Sequence, residues 1–278
     1  MTASFATELN ASYEHELAGR ICVRPPYFAL RDISWDGGEF SALASSEFPT
    51  SLEVGPMSAA ERGRHGAIAG LCALAMSQTD SARRYYLAQK AHYRGYFSRA
   101  SAGASIRFSA RVEELSKRFG RATISATVLG SAEKLMDLSV EYLVLPEPTF
   151  ERLFREHRQA TPPGQRLALP QALPSAPGVR TIPSLSPSLC LGHFDHFPAL
   201  PLAILIWELT QMAGEMFASP YWIPEAQLSA DSLCWAGRPV RFEVAPTSSL
   251  LHQGSYATRA VSAQEVVAEM QLALAAPP

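Results

Sequence analysis

The 278-residue sequence lacks the motifs by which most nucleotide, metal and serine-hydrolase sites are recognised. It contains no Gly-x-Gly-x-x-Gly or Walker-type phosphate loop and no Gly-x-Ser-x-Gly nucleophile elbow. Cysteine is scarce, with no Cys-x-x-Cys pair and no histidine at zinc-binding spacing; the four residues are Cys22, Cys72, Cys190 and Cys234. These absences predict reduced thiols and a chemistry that needs no metal and no cofactor.

The sequence also has little excess charge and no long apolar run. Lys and Arg total 24 against 26 Asp and Glu, a net charge of -2, so there is no basic field to attract nucleic acid. The longest apolar stretch, from Ala199 to Ile206 and a little beyond, is too short to cross a bilayer. The N-terminus lacks the basic and then apolar pattern of a signal peptide. We therefore expect a cytoplasmic protein with no membrane span and no nucleic-acid partner.

What the sequence does contain is an order of helix and then strands that occurs twice. The stretch Ala59–Met76 is rich in alanine and free of proline, with Ser58 as a helix N-cap and Glu61 at the capping-box position. Runs of β character follow at Tyr85–Ala88, Ser105–Leu115, Arg121–Leu129 and Leu135–Leu145. In the second half, a helix from Leu202 to about Ala218 precedes extended runs at Arg238–Val244, Ser249–Val261 and Glu265–Ala275.

A proline-rich segment separates the two halves. Residues 161–187 contain seven prolines and little periodicity, which is typical of an extended connection. The sequence therefore predicts an N-terminal unit at 1–158, a linker at 159–180 and a C-terminal unit at 181–278. The two units are alike in order and spacing but not in residue identity.

One segment carries a pattern for acid–base chemistry. His193 ends an extended stretch and is followed by Pro198, Pro201 and an apolar helix, so its imidazole is expected beside the free N–H groups of a helix N-terminus. Such groups act on a carbonyl. Two alternatives stay open: His193 is a structural loop histidine, or His196 takes its role.

This segment resembles the active-site loop of bacterial 3-hydroxyacyl-ACP dehydratases, in which a His-Phe-Pro triplet and two later prolines precede a long central helix. His193-Phe194 and the spacing of Pro198 and Pro201 match that loop. The chain departs from the family at three positions, where a proline and two glycines are replaced by Asp195, His196 and Leu202.

The resemblance is divided between the two halves. The family helix carries a carboxylate fourteen residues beyond the histidine and a glutamine four residues later, and here these positions hold Trp207 and Gln211. In the first half, Glu47-Phe48-Pro49 resembles a loop that has lost its histidine, with Glu61 fourteen residues after Glu47 and His65 four after Glu61. Each half therefore keeps what the other has lost.

The resemblance implies an α+β double hotdog, as in the dehydratase domains of polyketide synthases. There, two units, each an antiparallel sheet around a central helix, are fused as a pseudo-dimer, and the histidine loop of one unit faces the helix of the other. It thus implies a composite catalytic site of His193 and Glu61. The other residues matched to the motif, and implied to bind substrate, are His65, Pro201, Leu202 and Gln211.

The reaction implied by the resemblance is dehydration of a 3-hydroxyacyl thioester in polyketide or specialised-lipid biosynthesis. It needs no metal and no cofactor, and its partner is an acyl carrier protein or coenzyme A. A homodimer of double hotdogs is compatible with it.

Other functions fit the same residues. A hotdog thioesterase or isomerase would use Glu61 to activate water or shuttle a proton, and a non-catalytic acyl-chain binding protein would explain the altered loop. Glu61 is also explained as a helix cap. A second catalytic site made of Glu47 and Glu208 would lack an imidazole. We therefore expect this second site to be inactive and filled by Trp207 and neighbouring side chains.

Overall fold

The computed structural model describes residues 13–160, 164, 171–250 and 252–278. The helices are α1 (13–20), α2 (Ala59–Met76), α3 (Glu147–Leu153) and α4 (Leu202–Phe217), with short 3-10 turns at Arg155–His157 and Pro187–Cys190. The strands of the first half are β1 (Arg31–Trp35), β2 (Glu39–Ala44), β3 (Arg84–Gly95), β4 (Ile106–Leu115), β5 (Phe119–Val128) and β6 (Lys134–Pro146). Those of the second half are β7 (Leu173–Ala176), β8 (Val179–Ile182), β9 (Ala199–Leu200), β10 (Trp222–Ser229), β11 (Cys234–Trp235), β12 (Val240–Leu250), β13 (Gln253–Ser262) and β14 (Glu265–Ala275).

Twelve of these strands form one antiparallel sheet. Its order is β1-β2-β4-β5-β6-β3 and then β10-β14-β13-β12-β8-β7, so the second half repeats the strand order of the first in reverse. The two halves join where β3 pairs antiparallel with β10, in a register that sets Arg94 opposite Glu225 and Lys90 opposite Ser229. Two short strands, β9 and β11, pair separately beside the start of α4.

One long helix packs on each half of the sheet. The helix α2 lies over β4 and β5, α4 lies over β12 and β13, and the two helices contact each other. Alanine and glycine on α2 permit the close approach: a Cβ at Gly70 would lie 2.5 Å from the hydroxyl of Tyr142 on β6. The helix α4 ends at Ala218, which has a left-handed φ of 58° and whose N–H donates to the carbonyl of Gly214. The core therefore lies between the two helices and the sheet.

The predicted helices agree closely with the structure, and the combination of long helices with an antiparallel sheet agrees with the α+β expectation. The predicted linker, 159–180, contains β7 and the first two residues of β8, and β8 pairs with β12 from Val179 opposite Glu243 to Ile182 opposite Val240. Much of the remaining linker, 161–163 and 165–170, lies outside the described residues. The division at 158 and 181 stays a prediction. In the part of the chain that the structure describes, no helix is long and apolar enough to cross a bilayer.

Candidate active site

A cavity of about 420 Å³ lies between α2 and α4 and the centre of the sheet. Its wall combines side chains from both helices with others from β3, β6, β10 and β14, and most of them are apolar. His193 is part of this wall, together with Arg64 from α2 and with Leu202 and Ala203 from the start of α4. The volume and the few polar groups are typical of a site for a small organic ligand.

The His193 ring is held in one tautomer. Its Nδ1 lies 2.9 Å from the carbonyl oxygen of Ala199, and because a carbonyl only accepts, the proton must be on Nδ1. Its Nε2 has no hydrogen-bond partner among the described residues. Burial lowers the pKa of His193 to about 4. The ring is therefore neutral at pH 7, with a lone pair on Nε2 that is able to accept a proton.

The backbone of the first half holds the loop that carries His193. The N–H of Arg24 donates to the carbonyl of Gly192 at 2.8 Å, and the N–H of Phe194 donates to the carbonyl of Cys22 at 3.3 Å. Between these bonds Val23 and His193 form an antiparallel bridge. Two backbone hydrogen bonds and one bridge thus hold the His193 loop of the second half against residues 22–24 of the first half.

Aromatic rings of α3 and β3 also hold the loop that carries His193. Phe194 and Phe197 pack against Phe150 of α3 in edge-on geometry, and Phe150 stacks on Tyr85 at 3.6 Å between ring centroids. Tyr27 of the first half lies edge-on to the His193 ring at 5.2 Å. This contact of Tyr27 was not predictable, because nothing in the local sequence around it indicates contact with a residue so far along the chain.

The start of α4 is open towards the cavity. Its N-cap, Pro201, makes no side-chain cap, and the N–H groups of Leu202 and Ala203 have no acceptor in the described part of the chain. Both residues lie in the cavity wall. Free N–H groups and the positive end of the helix dipole stabilise negative charge on a ligand oxygen. The residues of an uncapped helix start, Leu202 and Ala203, therefore line the same cavity as the neutral imidazole of His193.

The start of α2 is closed by the chain itself. Ser58 accepts a hydrogen bond from the N–H of Glu61 at 3.3 Å, and the buried carboxylate of Glu53 accepts one from the N–H of Ala59 at 2.6 Å. Burial raises the pKa of Glu53 to about 7. The two long helices thus differ at the end where a ligand oxygen would bind.

Glu61 is turned towards its own half. Its carboxylate accepts hydrogen bonds from the hydroxyl of Ser46 at 2.8 Å and from the N–H groups of Glu47 and Phe48. It is fully buried and is not part of the cavity wall. No hydrogen bond or ion pair joins it to His193 within the described ranges. The composite pair of His193 and Glu61 therefore stays a prediction, and the structure brings only His193 to the cavity.

Glu47, Glu61 and His65 bring ligand-type atoms within 4.8 Å of one another. Arg64 donates to Glu47 at 2.7 Å, and the N–H groups of Glu47 and Phe48 already occupy the Glu61 oxygens. His65 is fully buried, with Nε2 3.7 Å from Glu61, and burial lowers its pKa. A cation here would face the Arg64 guanidinium and compete with these donors, so the cluster is better explained as the contact that holds the 46–48 loop against α2 than as a metal centre.

The remaining predicted residues are divided between the two sides of α4. Pro201 and Leu202 lie at the open helix end described above. Gln211 instead accepts a hydrogen bond from the hydroxyl of Ser51 at 2.7 Å. On the same side Phe48 packs edge-on against Trp207, with 6.3 Å between ring centroids. The loop of the first half thus meets α4 through apolar and amide contacts rather than through an imidazole.

The comparisons with known proteins identify the fold. No family model and no curated protein matches the sequence. Among solved structures, a putative oleoyl thioesterase from Lactobacillus plantarum superposes with a TM-score of 0.61 at 10% identity, covering 87% of this chain and 98% of that one. The 12:0-ACP thioesterase from Umbellularia californica gives 0.58 at 11% identity over 85% and 93%. A hot dog fold protein from Alicyclobacillus acidocaldarius gives 0.51 at 12% identity over 88% and 96%. At these identities the likeness establishes a hotdog fold, as the sequence resemblance implied, and leaves the activity to be argued from the site.

Proposed function

We propose that this chain is a double-hotdog enzyme that dehydrates a 3-hydroxyacyl thioester, with His193 as the catalytic base. One observation carries the proposal: a neutral imidazole with a free Nε2 lines the same cavity as the uncapped N-terminus of α4. The repeated strand order supports the pseudo-dimer, with units at 1–158 and 181–278. The thioester is carried by an acyl carrier protein or by coenzyme A.

In the proposed reaction, Nε2 of His193 removes a proton from C2 of the acyl group. The negative charge then moves to the thioester oxygen, where the N–H groups of Leu202 and Ala203 stabilise it. The C2=C3 double bond forms as the hydroxyl leaves C3, and a proton must join this hydroxyl to give water. The His193 imidazolium is able to return that proton, and the family resemblance assigns this step to Glu61. If Glu61 performs it, the 46–48 loop has to release its carboxylate.

Hydrolysis of an acyl thioester is the second candidate function. It is favoured by the absence of any carboxylate hydrogen-bonded to His193 in the described residues, since a dehydratase of the resembled type uses one. In this reaction Nε2 takes a proton from water, whose oxygen adds to the thioester carbonyl at the same pair of N–H groups. The tetrahedral intermediate then breaks its C–S bond, and the His193 imidazolium returns its proton to the leaving thiolate, which gives the free acid and the thiol. The two structures at TM-scores of 0.61 and 0.58 are described as thioesterases, which agrees with this candidate.

The product distinguishes these functions. The purified protein is incubated with 3-hydroxyacyl, enoyl and saturated acyl thioesters, and the products are followed by mass spectrometry. Loss of 18 mass units from the 3-hydroxyacyl thioester supports dehydration, whereas release of free acid from all three thioesters supports hydrolysis. Unchanged thioesters that nevertheless bind would overturn both and leave an acyl-chain binding protein.

The two helix carboxylates are expected to respond differently to substitution. Glu61→Gln should lower turnover by about a hundredfold if Glu61 is the acid, and it should also lower the thermal midpoint, because an amide NH₂ would oppose N–H donors. Glu208 is buried and pairs with Arg180 at 2.8 Å, away from the cavity wall. Glu208→Gln should therefore lower the thermal midpoint and leave turnover within about twofold.

Turnover and thermal midpoint are measured on the same preparations of both variants. A Glu208→Gln protein that folds normally but is as inactive as Glu61→Gln would place the acid in the other half. If Glu61→Gln folds and keeps full turnover, Glu61 only holds the 46–48 loop against α2.

The depressed pKa of His193 predicts an unusual pH dependence. Because the imidazole acts as a base only when neutral, kcat/KM should be level at neutral pH and fall as the pH drops through about 4. An imidazole in water would give this limb near pH 6.5. The same shift lowers stability below pH 6.5, since the unfolded chain then binds a proton that the folded chain does not. Tryptophan fluorescence at each pH separates inactivation from unfolding, and an acid limb near 6.5 in folded protein would contradict the assignment.

A further inference from the structure

An ionic contact joins the first half of the chain to the His193 loop, in addition to the backbone hydrogen bonds and aromatic contacts. Asp195 follows His193 by two residues, and its carboxylate accepts a hydrogen bond from Nη2 of Arg83 at 2.6 Å. Arg83 lies just before β3, in the first half. The two side chains are 26% and 32% exposed, so their ion pair is only partly screened by water.

The Arg83 guanidinium is itself held in place. Its Nη1 donates to Glu147 at the start of α3 at 2.9 Å, and its Nε donates to the carbonyl of Ile21 at 3.3 Å. A planar guanidinium with three fixed acceptors has little freedom to rotate, so Asp195 is bound to a rigid group rather than to a flexible cation. The ion pair therefore limits movement of the loop along the surface of the first half.

The other contacts of the loop act in different directions. The backbone bonds to Cys22 and Arg24 hold residues 192 and 194, and the aromatic rings support the loop from below. The segment after Phe194 must still turn back so that Ala199 reaches Nδ1 of His193 and Pro201 begins α4. Asp195 lies at the start of that turn, in the part of the sequence that connects His193 to the N–H groups of Leu202 and Ala203.

We propose that Asp195 is a positioning residue, whose ion pair with Arg83 sets the His193 ring relative to the open end of α4. This rests on the proposed function, because it assumes that His193 Nε2 and the N–H groups of Leu202 and Ala203 act on one substrate. Small displacements of a base from its proton lower the rate of the chemical step more than they weaken binding.

The test compares two variants, each of which neutralises one of the two carboxylates that bind the Arg83 guanidinium. Asp195→Asn removes the negative charge on the His193 loop, and Glu147→Gln, the matched control, removes the negative charge on α3 but leaves Arg83 bonded to Asp195 and to the carbonyl of Ile21. Asp195→Asn is expected to lower kcat about tenfold with KM within twofold, whereas Glu147→Gln leaves both within twofold. Asp195→Glu, which keeps the charge, is expected to restore at least half of the lost kcat.

Hydrogen exchange supplies a readout that does not depend on activity. Amides of 192–197 should exchange faster in Asp195→Asn than in Glu147→Gln and in the original protein. If the original protein turns over no thioester, the proposed function fails, while this exchange measurement still decides whether the ion pair orders the loop. Should Asp195→Asn not fold, Arg83→Lys, which keeps one charge but loses the fork, is expected to lower kcat in the same way. Equal kcat in Asp195→Asn and Glu147→Gln, or equal exchange, would overturn the proposal.

Discussion

Replacement of His193 by alanine is expected to lower kcat/KM by about 10²- to 10⁴-fold, the range over which enzymes depend on a general base. The variant should fold, because the ring makes one hydrogen bond, to the Ala199 carbonyl, and is only partly buried. The measurement is turnover of the thioester identified by the product assay, with circular dichroism to establish folding. A large loss is expected in kcat, since the proton is transferred only in the chemical step.

His196 provides the matched control for this substitution. It lies three residues further along the same loop and is exposed. His196→Ala is therefore expected to keep kcat/KM within about twofold. If instead His196→Ala abolished activity and His193→Ala did not, the alternative assignment weighed from the sequence would be right, and the base would be outside the cavity described here.

Gly192→Ala is expected to have the second large effect, on stability and activity together. Gly192 has a φ of 77°, and a Cβ there would lie 2.2 Å from the carbonyl oxygen of Arg24 and 2.7 Å from the nitrogen of Tyr27. The loop would have to separate from residues 22–24, at a cost of roughly 2–4 kcal/mol. Because His193 is the next residue, activity of the folded protein should also fall, by about a hundredfold.

Gly237→Ala separates backbone strain from the collision. Gly237 has a similar φ of 82°, but nothing lies within 4 Å of a Cβ built there. It should cost only the strain of a left-handed alanine, about 1 kcal/mol, with activity unchanged. Urea unfolding and turnover are measured for both variants. Equal losses in the two would mean that the contact between the halves at Gly192 does not hold the loop.

The elements that sequence analysis predicted well are those determined by local patterns. The bounds of α2 follow from Ser58 and an alanine-rich run, and the start of α4 follows from Pro201 and the apolar residues after it. The position of His193 beside that helix start was predictable for the same reason. Each depends on residues that are neighbours in the chain.

The strand β10 was not predicted, because its own sequence has no strand pattern and its partners are distant in the chain. Trp222–Ser229 contains Pro224 and no clean alternation of apolar and polar residues. It becomes a strand because β3 and β14 pair with its two edges. Those partners are distant in the chain, and they supply the ladder that local propensity does not.

The contacts of Glu61 were also beyond the sequence. Ile68 of α2 lines the cavity, and it lies on nearly the same side of the helix as Glu61, which is two turns earlier. Spacing along a sequence places a carboxylate on a helix but does not decide which partner that face meets. Here the 46–48 loop supplies three donors to Glu61, and these hydrogen bonds favour its inward position.

At the N-terminus of α2, a side chain of the protein occupies the position that a bound anion would take. Glu53 is tethered six residues from the N–H group it occupies, so its effective concentration there far exceeds that of any dissolved carboxylate or enolate. Among the residues that the structure describes, no carboxylate competes with a free anion for the N–H groups of Leu202 and Ala203. The N-terminus of α2 is therefore occupied by Glu53, whereas the N-terminus of α4 is open to a ligand. An anionic inhibitor of this protein is expected to bind with a stoichiometry of one per chain.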